Sequence, residues 1–216
     1  MRIGFTLFLW IFSLSIALAA DPPSRSSLTL RYIDQFAALA VQEMHRTGIP
    51  ASITLAQGIH ESQSGQSPLA RNAHNHFGIK CKAHWPGQVY LHKDDDLDAQ
   101  GKLIKSCFRV YDSAVDSYLD HSEFLTHRKY YRDLFSLSHT DYEGWARGLK
   151  TSGYATDPRY AEILIRIIQT YELDQFDRLH PDVEIKSGTV LDTLPYSTRL
   201  DRVQSTTTRK PLLISR

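Results

Sequence analysis

The stretch Ile53 to Gly65, ITLAQGIHESQSG, decides how the rest of the chain is read. Ile53, Leu55, Ala56 and Ile59 recur at helical spacing, which predicts a helix with an apolar face turned into a core. Its one acid, Glu61, sits near the end of that helix. A carboxyl there feels the negative end of the helix dipole, and an apolar wall would act in the same direction. Both favour the protonated form that a general acid needs. Gly58 lies three residues earlier on the same face, so the expectation is open space beside the carboxylate for a ligand. Gly65 is expected to stop the helix in a left-handed cap. The plainer alternative is a surface glutamate at a helix end.

Outward from this stretch, Ser26 or Ser27 caps a preceding helix through Tyr32, Ile33, Phe36, Leu39, Ala40 and Met44, which Gly48 ends. Pro50 opens the Glu61 helix, and Ser67-Pro68 opens a short helical turn over Leu69 to Asn72. After AHNHFGIKC the pattern turns extended. Ile79 to Cys81, Val89 to Leu91 and Ile104 to Tyr111 read as short strands, with Trp85-Pro86-Gly87 as a turn and Asp94 to Gly101 as a polar connection. Helices then resume. Ser113 and Asp116 form a capping box before an apolar stripe of Val115, Tyr118, Leu119 and Leu125, and Tyr130, Tyr131, Leu134 and Phe135 suggest a short helix. Asp141 caps another helix around Trp145, Ala146 and Leu149 that stops at Gly153. Asp157-Pro158 starts the last, striped by Ala161, Leu164, Ile165, Ile168 and Tyr171, with Leu173 and Phe176 folding back onto the core.

The chain of 216 residues has room for one ordinary domain and tails, and 42 % hydrophobic with 11 % aromatic residues supplies a packed core. A formal charge of +1 argues against a nucleic-acid partner, which calls for a strongly basic face. Residues 1–20 read as a signal peptide: Arg2, the apolar run Ile3 to Leu18, and Ala17-Leu18-Ala19 before a cut at Ala20 or Asp21. An uncleaved membrane anchor is the alternative. Residues 21–27 then form a linker, 28–177 the domain, and 178–216 a Ser/Thr-rich flexible tail. Either way the domain is exported, to the periplasm or beyond, and no later segment is long and apolar enough to span a bilayer. In that compartment Cys81 and Cys107 can pair, which closes a loop worth on the order of 3 kcal/mol.

Three aspartates, Asp94, Asp95 and Asp96, with Asp98 beyond them, invite comparison with a calcium loop. The comparison fails at Ala99, where a sharp turn wants glycine, and at Lys105, where a bidentate Glu is needed. One of them can instead face Glu61 across a cleft, and two carboxyls facing a sugar ring are what glycoside hydrolysis requires. His60-Glu61 begins a zinc-protease pattern, but Ser64 stands where its second His belongs, and His74 with His76 lack further ligands. No metal or cofactor is expected. Tyr154 can point its hydroxyl into a groove, and Phe77 and Trp85 offer faces for sugar stacking, while Trp145 reads as core.

Three segments, SITLAQGIHESQSGQSPLARNAHNHFGIKC, CFRVYDSAVDSYLDHSEFL and GWARGLKTSGYATDPRYAEILIRIIQTYEL, resemble in order the bacterial endo-β-N-acetylglucosaminidases of the flagellar-muramidase type, from about Leu30 to Asp177. The resemblance implies a lysozyme-like α+β fold with a mainly helical lobe, a small antiparallel hairpin lobe and a substrate groove between them. It implies that Glu61, in LAQ-x-x-x-E-S, is the catalytic acid, with Gln57 of that motif at the substrate. Tyr154 of GYATDP becomes the groove tyrosine, and Asn75, Phe77 and Gly78 of the N-x-FGIK turn line the cleft. The second acid falls in the β lobe, where Asp94, Asp95 and Asp96 are candidates and Asp95 stands first. Gly58 and His60 depart from the Ala and Leu frequent in the family. The expected protein is a monomeric peptidoglycan hydrolase that cuts the N-acetylglucosaminyl linkage. A muramidase or lytic transglycosylase on the same fold, and a non-catalytic wall-binding module, are the alternatives.

Overall fold

Along the chain run α1 (Ser27–Thr47), α2 (Ala51–Ser62), α3 (Pro68–Ala73), the strands β1 (Val89–Leu97) and β2 (Leu103–Arg109), then α4 (Ala114–Thr126), α5 (Tyr142–Thr151) and α6 (Tyr160–Tyr171), with 3-10 helices at Lys129–Ser136 and Leu173–Arg178. The computed structural model describes residues 26–82, 85–97 and 100–180; the expected leader and the tail from residue 181 lie outside the described residues, as does most of the expected linker.

Helix α2 is the centre of the helical lobe. Its residues from Ala51 to Ile59 are all buried, and α1, α5, α6 and the C-terminal 3-10 helix pack around it. Pro50 at its N-cap has no capping side chain, so a residue distant in sequence does the work. Asp177 Oδ1 accepts the Ser52 N–H at 2.8 Å, and its Oδ2 accepts the Ser52 hydroxyl at 2.6 Å. Leu173 and Phe176, in the same 3-10 helix as Asp177, fold back as expected and are buried. Burial pushes the Asp177 carboxyl up to about 7. The fold runs on past Asp177, for the carbonyl of Leu179 accepts from His45 Nε2 at 2.7 Å.

The end of α2 differs from the expectation. The helix stops at Ser62, and Gln63 (φ 53°), Ser64 (φ 55°) and Gly65 (φ 78°) all adopt left-handed backbone, so Gln63 and not Gly65 holds the cap. The Ser62 hydroxyl, which accepts the Gly65 N–H at 2.7 Å, holds this turn. Gly58 is also filled differently. A Cβ there would lie 2.5 Å from the Tyr32 hydroxyl and 3.0 Å from that of Tyr118, so its missing side chain admits two tyrosines and not a ligand.

In the β lobe the hairpin is antiparallel, with Val89 opposite Arg109, Leu91 opposite Cys107 and Lys93 opposite Lys105. The Ile79–Cys81 segment lies along the other edge of β2, with Cys81 N–H to Cys107 O at 2.8 Å and Arg109 N–H to Ile79 O at 3.0 Å, and the Cys81–Cys107 disulfide is formed. Strand β1 continues through Asp94, Asp95 and Asp96 to Leu97, so these are not loop residues. The three fall in the irregular stretch between the Lys93–Lys105 and Leu97–Leu103 pairs, and it is these flanking pairs, against the poor strand preference of aspartate, that carry the strand through them.

Ser113 caps α4 as expected, accepting the Asp116 N–H at 3.3 Å and donating to Asp116 Oδ2 at 2.7 Å. The inward face of α4 is more polar than its periodicity suggests. Ser117, Tyr118, His121, Ser122 and Leu125 are buried, whereas Val115 and Leu119 are exposed. Helix α6 begins at Tyr160, later than the Asp157-Pro158 signal, because Asp157 Oδ1 accepts the Arg159 N–H at 2.8 Å in a turn that precedes it.

Candidate active site

Glu61 stands in the last turn of α2 and is half-buried. The Tyr160 hydroxyl, from the first residue of α6, donates to Glu61 Oε1 at 3.0 Å. Gln57, one turn before Glu61 on α2, donates from Nε2 to the Tyr160 oxygen at 3.0 Å. Since that oxygen is taken as an acceptor, the single tyrosine proton goes to the carboxylate. Gln57 and Tyr160 are both buried, so Glu61 is held by a relay that solvent does not loosen.

Tyr154 lies half-buried over this relay. Its ring stacks on Tyr160, with centroids 5.6 Å apart at 25°, and its flanks meet His121, Phe124 and Tyr131 at 6.1 to 6.2 Å. Burial first, and then the charge of Glu61, push its hydroxyl well above the ordinary tyrosine range, so it stays a proton donor. His60 sits edge-on to Tyr160 at 5.8 Å, and burial holds it below the usual imidazole range despite the pull of Asp157. Among the described residues, the carboxyl thus stands against an aromatic wall of Tyr160 and Tyr154, both neutral.

The other predicted residues divide. Gln57 serves Tyr160 from a fully enclosed position. Asn75, buried, knits α3 to the β lobe: its Nδ2 donates to Ile79 O at 3.0 Å and to Arg109 O at 2.9 Å, and its Oδ1 accepts the Ile79 N–H at 3.0 Å. Phe77 is buried too, flat against His121 at 4.0 Å. The side chains of Gln57, Asn75 and Phe77 are therefore walled in by protein and do not line a cleft. Gly78 does border open space, since a Cβ on it would meet nothing within 4 Å. Trp85 is half-buried. Its Nε1 donates to Gln88 O at 2.9 Å and the Arg109 guanidinium lies 4.6 Å from its ring. Arg109 in turn grips both Asp120 oxygens, at 2.8 and 2.7 Å, and the Tyr111 hydroxyl donates to Asp120 at 2.5 Å. The hairpin base is thus tied to α4 by charge-assisted bonds.

Asp94, Asp95 and Asp96 are placed by their backbone on the outer half of β1. Tyr160, which contacts Glu61 directly, is the residue that sequence reading missed. In DPRYA it looks like one more ring of an apolar helix face, and the one available sign was a hydroxyl at the head of that face. Among the described residues no group of three or more His, Cys, Asp and Glu is placed to hold a metal ion.

A family model described as mannosyl-glycoprotein endo-beta-N-acetylglucosaminidase matches residues 37–173. The chain belongs to the glucosaminidase family. Among its relatives, the exo-glucosaminidase LytG of Bacillus subtilis is 33 % identical over 160 residues, covering 71 % of this chain and 55 % of LytG. The peptidoglycan hydrolase FlgJ of Escherichia coli K12 is 32 % identical over 152 residues, covering 68 % of this chain and 47 % of FlgJ. The chain therefore spans about half the length of the curated relatives it matches. The catalytic domain of the autolysin Auto from Listeria monocytogenes superposes with a TM-score of 0.62 at 25 % identity, covering 78 % of this chain and 99 % of that domain. The glucosaminidase fold here is the α+β, lysozyme-like arrangement that the sequence motifs imply, with a helical body and a small two-stranded sheet.

Proposed function

We propose that this glucosaminidase-family chain is an exported peptidoglycan hydrolase that cuts the N-acetylglucosaminyl β-1,4 linkage, with Glu61 as general acid. The observation that carries the reading is the Tyr160 hydroxyl on Glu61 Oε1, backed by Gln57. With Oε1 held, Glu61 delivers its proton from Oε2 to the glycosidic oxygen as the bond to the sugar carbon breaks. The Tyr160 hydrogen bond strengthens as the carboxylate charge appears, so the relay favours the transition state over the resting acid. Tyr154, a neutral donor over the relay, orients the sugar beside Glu61. The oxocarbenium-like carbon is stabilised either by a hairpin carboxylate, Asp95 or its neighbours Asp94 and Asp96, or by the substrate's own N-acetyl oxygen; water then completes the hydrolysis.

Residues 1–20 fit a leader that exports the domain, and the formed Cys81–Cys107 bridge suits an oxidising compartment. No helix among the described residues is long and apolar enough to cross a membrane, and the working form is taken to be a monomer acting on glycan strands. Mass spectrometry of fragments released from purified peptidoglycan tests the reading. New reducing ends should carry N-acetylglucosamine. Muramic or anhydromuramic ends would move the cut to the other linkage, and a chain that binds wall yet releases no fragments would be a binding module.

A further inference from the structure

A cavity of about 340 Å³ opens just past the end of α2, at the small end of the range for ligand sites, about 300–1,000 Å³. Arg31 and Gln35 of α1 line one wall, the left-handed turn with Gln66 lines another, and His74 and His76 lie on the α3 side. No carboxylate lines it. Arg31 is exposed and has no ion-pair partner among the described residues.

His76 makes the cavity a built site. The residue is 6 % exposed, and its protonation is fixed by a chain of hydroxyls. Tyr118 donates to the Tyr32 oxygen at 2.9 Å, so the Tyr32 proton goes on to His76 Nδ1, also at 2.9 Å. Nδ1 is then the acceptor, and neutral His76 carries its hydrogen on Nε2. Burial, and next the nearby His74, lower its pKa to about 4, so it remains neutral at ordinary pH. His76 lines the cavity, and with Nδ1 engaged in the core its Nε2–H is the donor that remains. Arg31, His76, Gln35 and Gln66 thus line a space without competing acids, and their side chains offer a guanidinium, an imidazole N–H and two amides. That set suits a carboxylate, which only accepts. Leu28 and Ala114 add an apolar corner for an aliphatic side chain.

We propose that this cavity is a subsite for a carboxylate of the peptide arm carried by the glycan, an inference that rests on peptidoglycan being the substrate. Ser64 follows Glu61 by three residues, so at most about 11 Å of chain separates the cavity wall from the proton donor. A short peptide on a sugar bound at Glu61 spans that interval.

Steady-state kinetics on two soluble glycans of equal length, one with its peptides and one stripped of them, reads the subsite. The natural chain should favour the peptide-bearing glycan through a lower KM, and Arg31→Ala should reduce that preference about tenfold, the loss expected for a charged hydrogen bond. Equal KM values for the two glycans, or a variant that keeps the full preference, would overturn the subsite while leaving glycan cleavage established. If neither glycan is cut, the functional reading fails by itself. The cavity is then judged by NMR titration of the folded chain with free stem peptide: shifts in the His76 ring signals that vanish in Arg31→Ala support it, and an unchanged His76 spectrum refutes it.

Discussion

Glu61 and the three hairpin aspartates are carboxylates built in opposite ways. Glu61 ends a helix enclosed by four other elements, and its orientation is fixed by two buried side chains. Asp94 to Asp96 ride on a two-stranded hairpin anchored at its base by the disulfide, the Asn75 bonds and the Arg109–Asp120 pair. Asp95 lies six residues out from Val89, roughly 20 Å along the strand from that base. Val89, Leu91, Leu103 and Ile104 on the hairpin are exposed, so packing does little to fix its far end. The difference teaches that the proton donor's geometry is a property of the core, whereas any second carboxylate depends on how the hairpin is held.

Of the changes that spare Glu61, the largest should come from cutting the hairpin's anchor. Replacing both cysteines, Cys81→Ser with Cys107→Ser, should cost about 3 kcal/mol in urea unfolding, given a separation of 26 residues. An unchanged midpoint would mean that the base is held without the bridge. Next in size, Tyr160→Phe removes the relay's grip on Glu61. It should lower kcat by about thirtyfold with little change in KM, because the lost bond matters most as charge develops. Matching that on the hairpin, Asp94→Asn, Asp95→Asn and Asp96→Asn compared singly should single out one position, expected to be Asp95, with about a tenfold fall in kcat. Three indifferent variants would assign charge stabilisation to the substrate's N-acetyl group.

A separate test concerns stability against pH. Asp177 has a folded pKa of about 7, above the unfolded value of about 4, so protonation favours the folded chain. Its contribution is fully present below about pH 4 and is lost as pH rises through 7. Asp177→Asn should therefore flatten the decline in stability over that window, as followed by thermal melts. A slope identical to that of the natural chain would remove Asp177 from the account.

Much of the frame was legible because local chemistry set it. The caps at Ser67, Ser113 and Asp141 all hold helix starts, and Gly48 takes the left-handed position that ends α1. What escaped sequence reading depends on partners distant in the chain. Tyr160 meets Glu61 across 99 positions, and Asp177 caps α2 across 125. The α4 stripe misled for a related reason: Ser117 and Tyr118 are turned inward by bonds to His76 and Tyr32, which outweigh the apolar spacing of Val115 and Leu119. Gly58 suggests room for a ligand by sequence alone because a missing side chain does not say what fills the space, and here two tyrosine hydroxyls do.

The proposed role of Glu61 as proton donor is tested most directly by the rate of fragment release from purified peptidoglycan by Glu61→Gln, with circular dichroism confirming its fold. Glutamine can still accept from Tyr160 but has no proton to give at the glycosidic oxygen, so release should fall by about 10²–10⁴ while the helical spectrum is preserved. A folded Glu61→Gln protein that releases fragments at the natural rate would contradict that role.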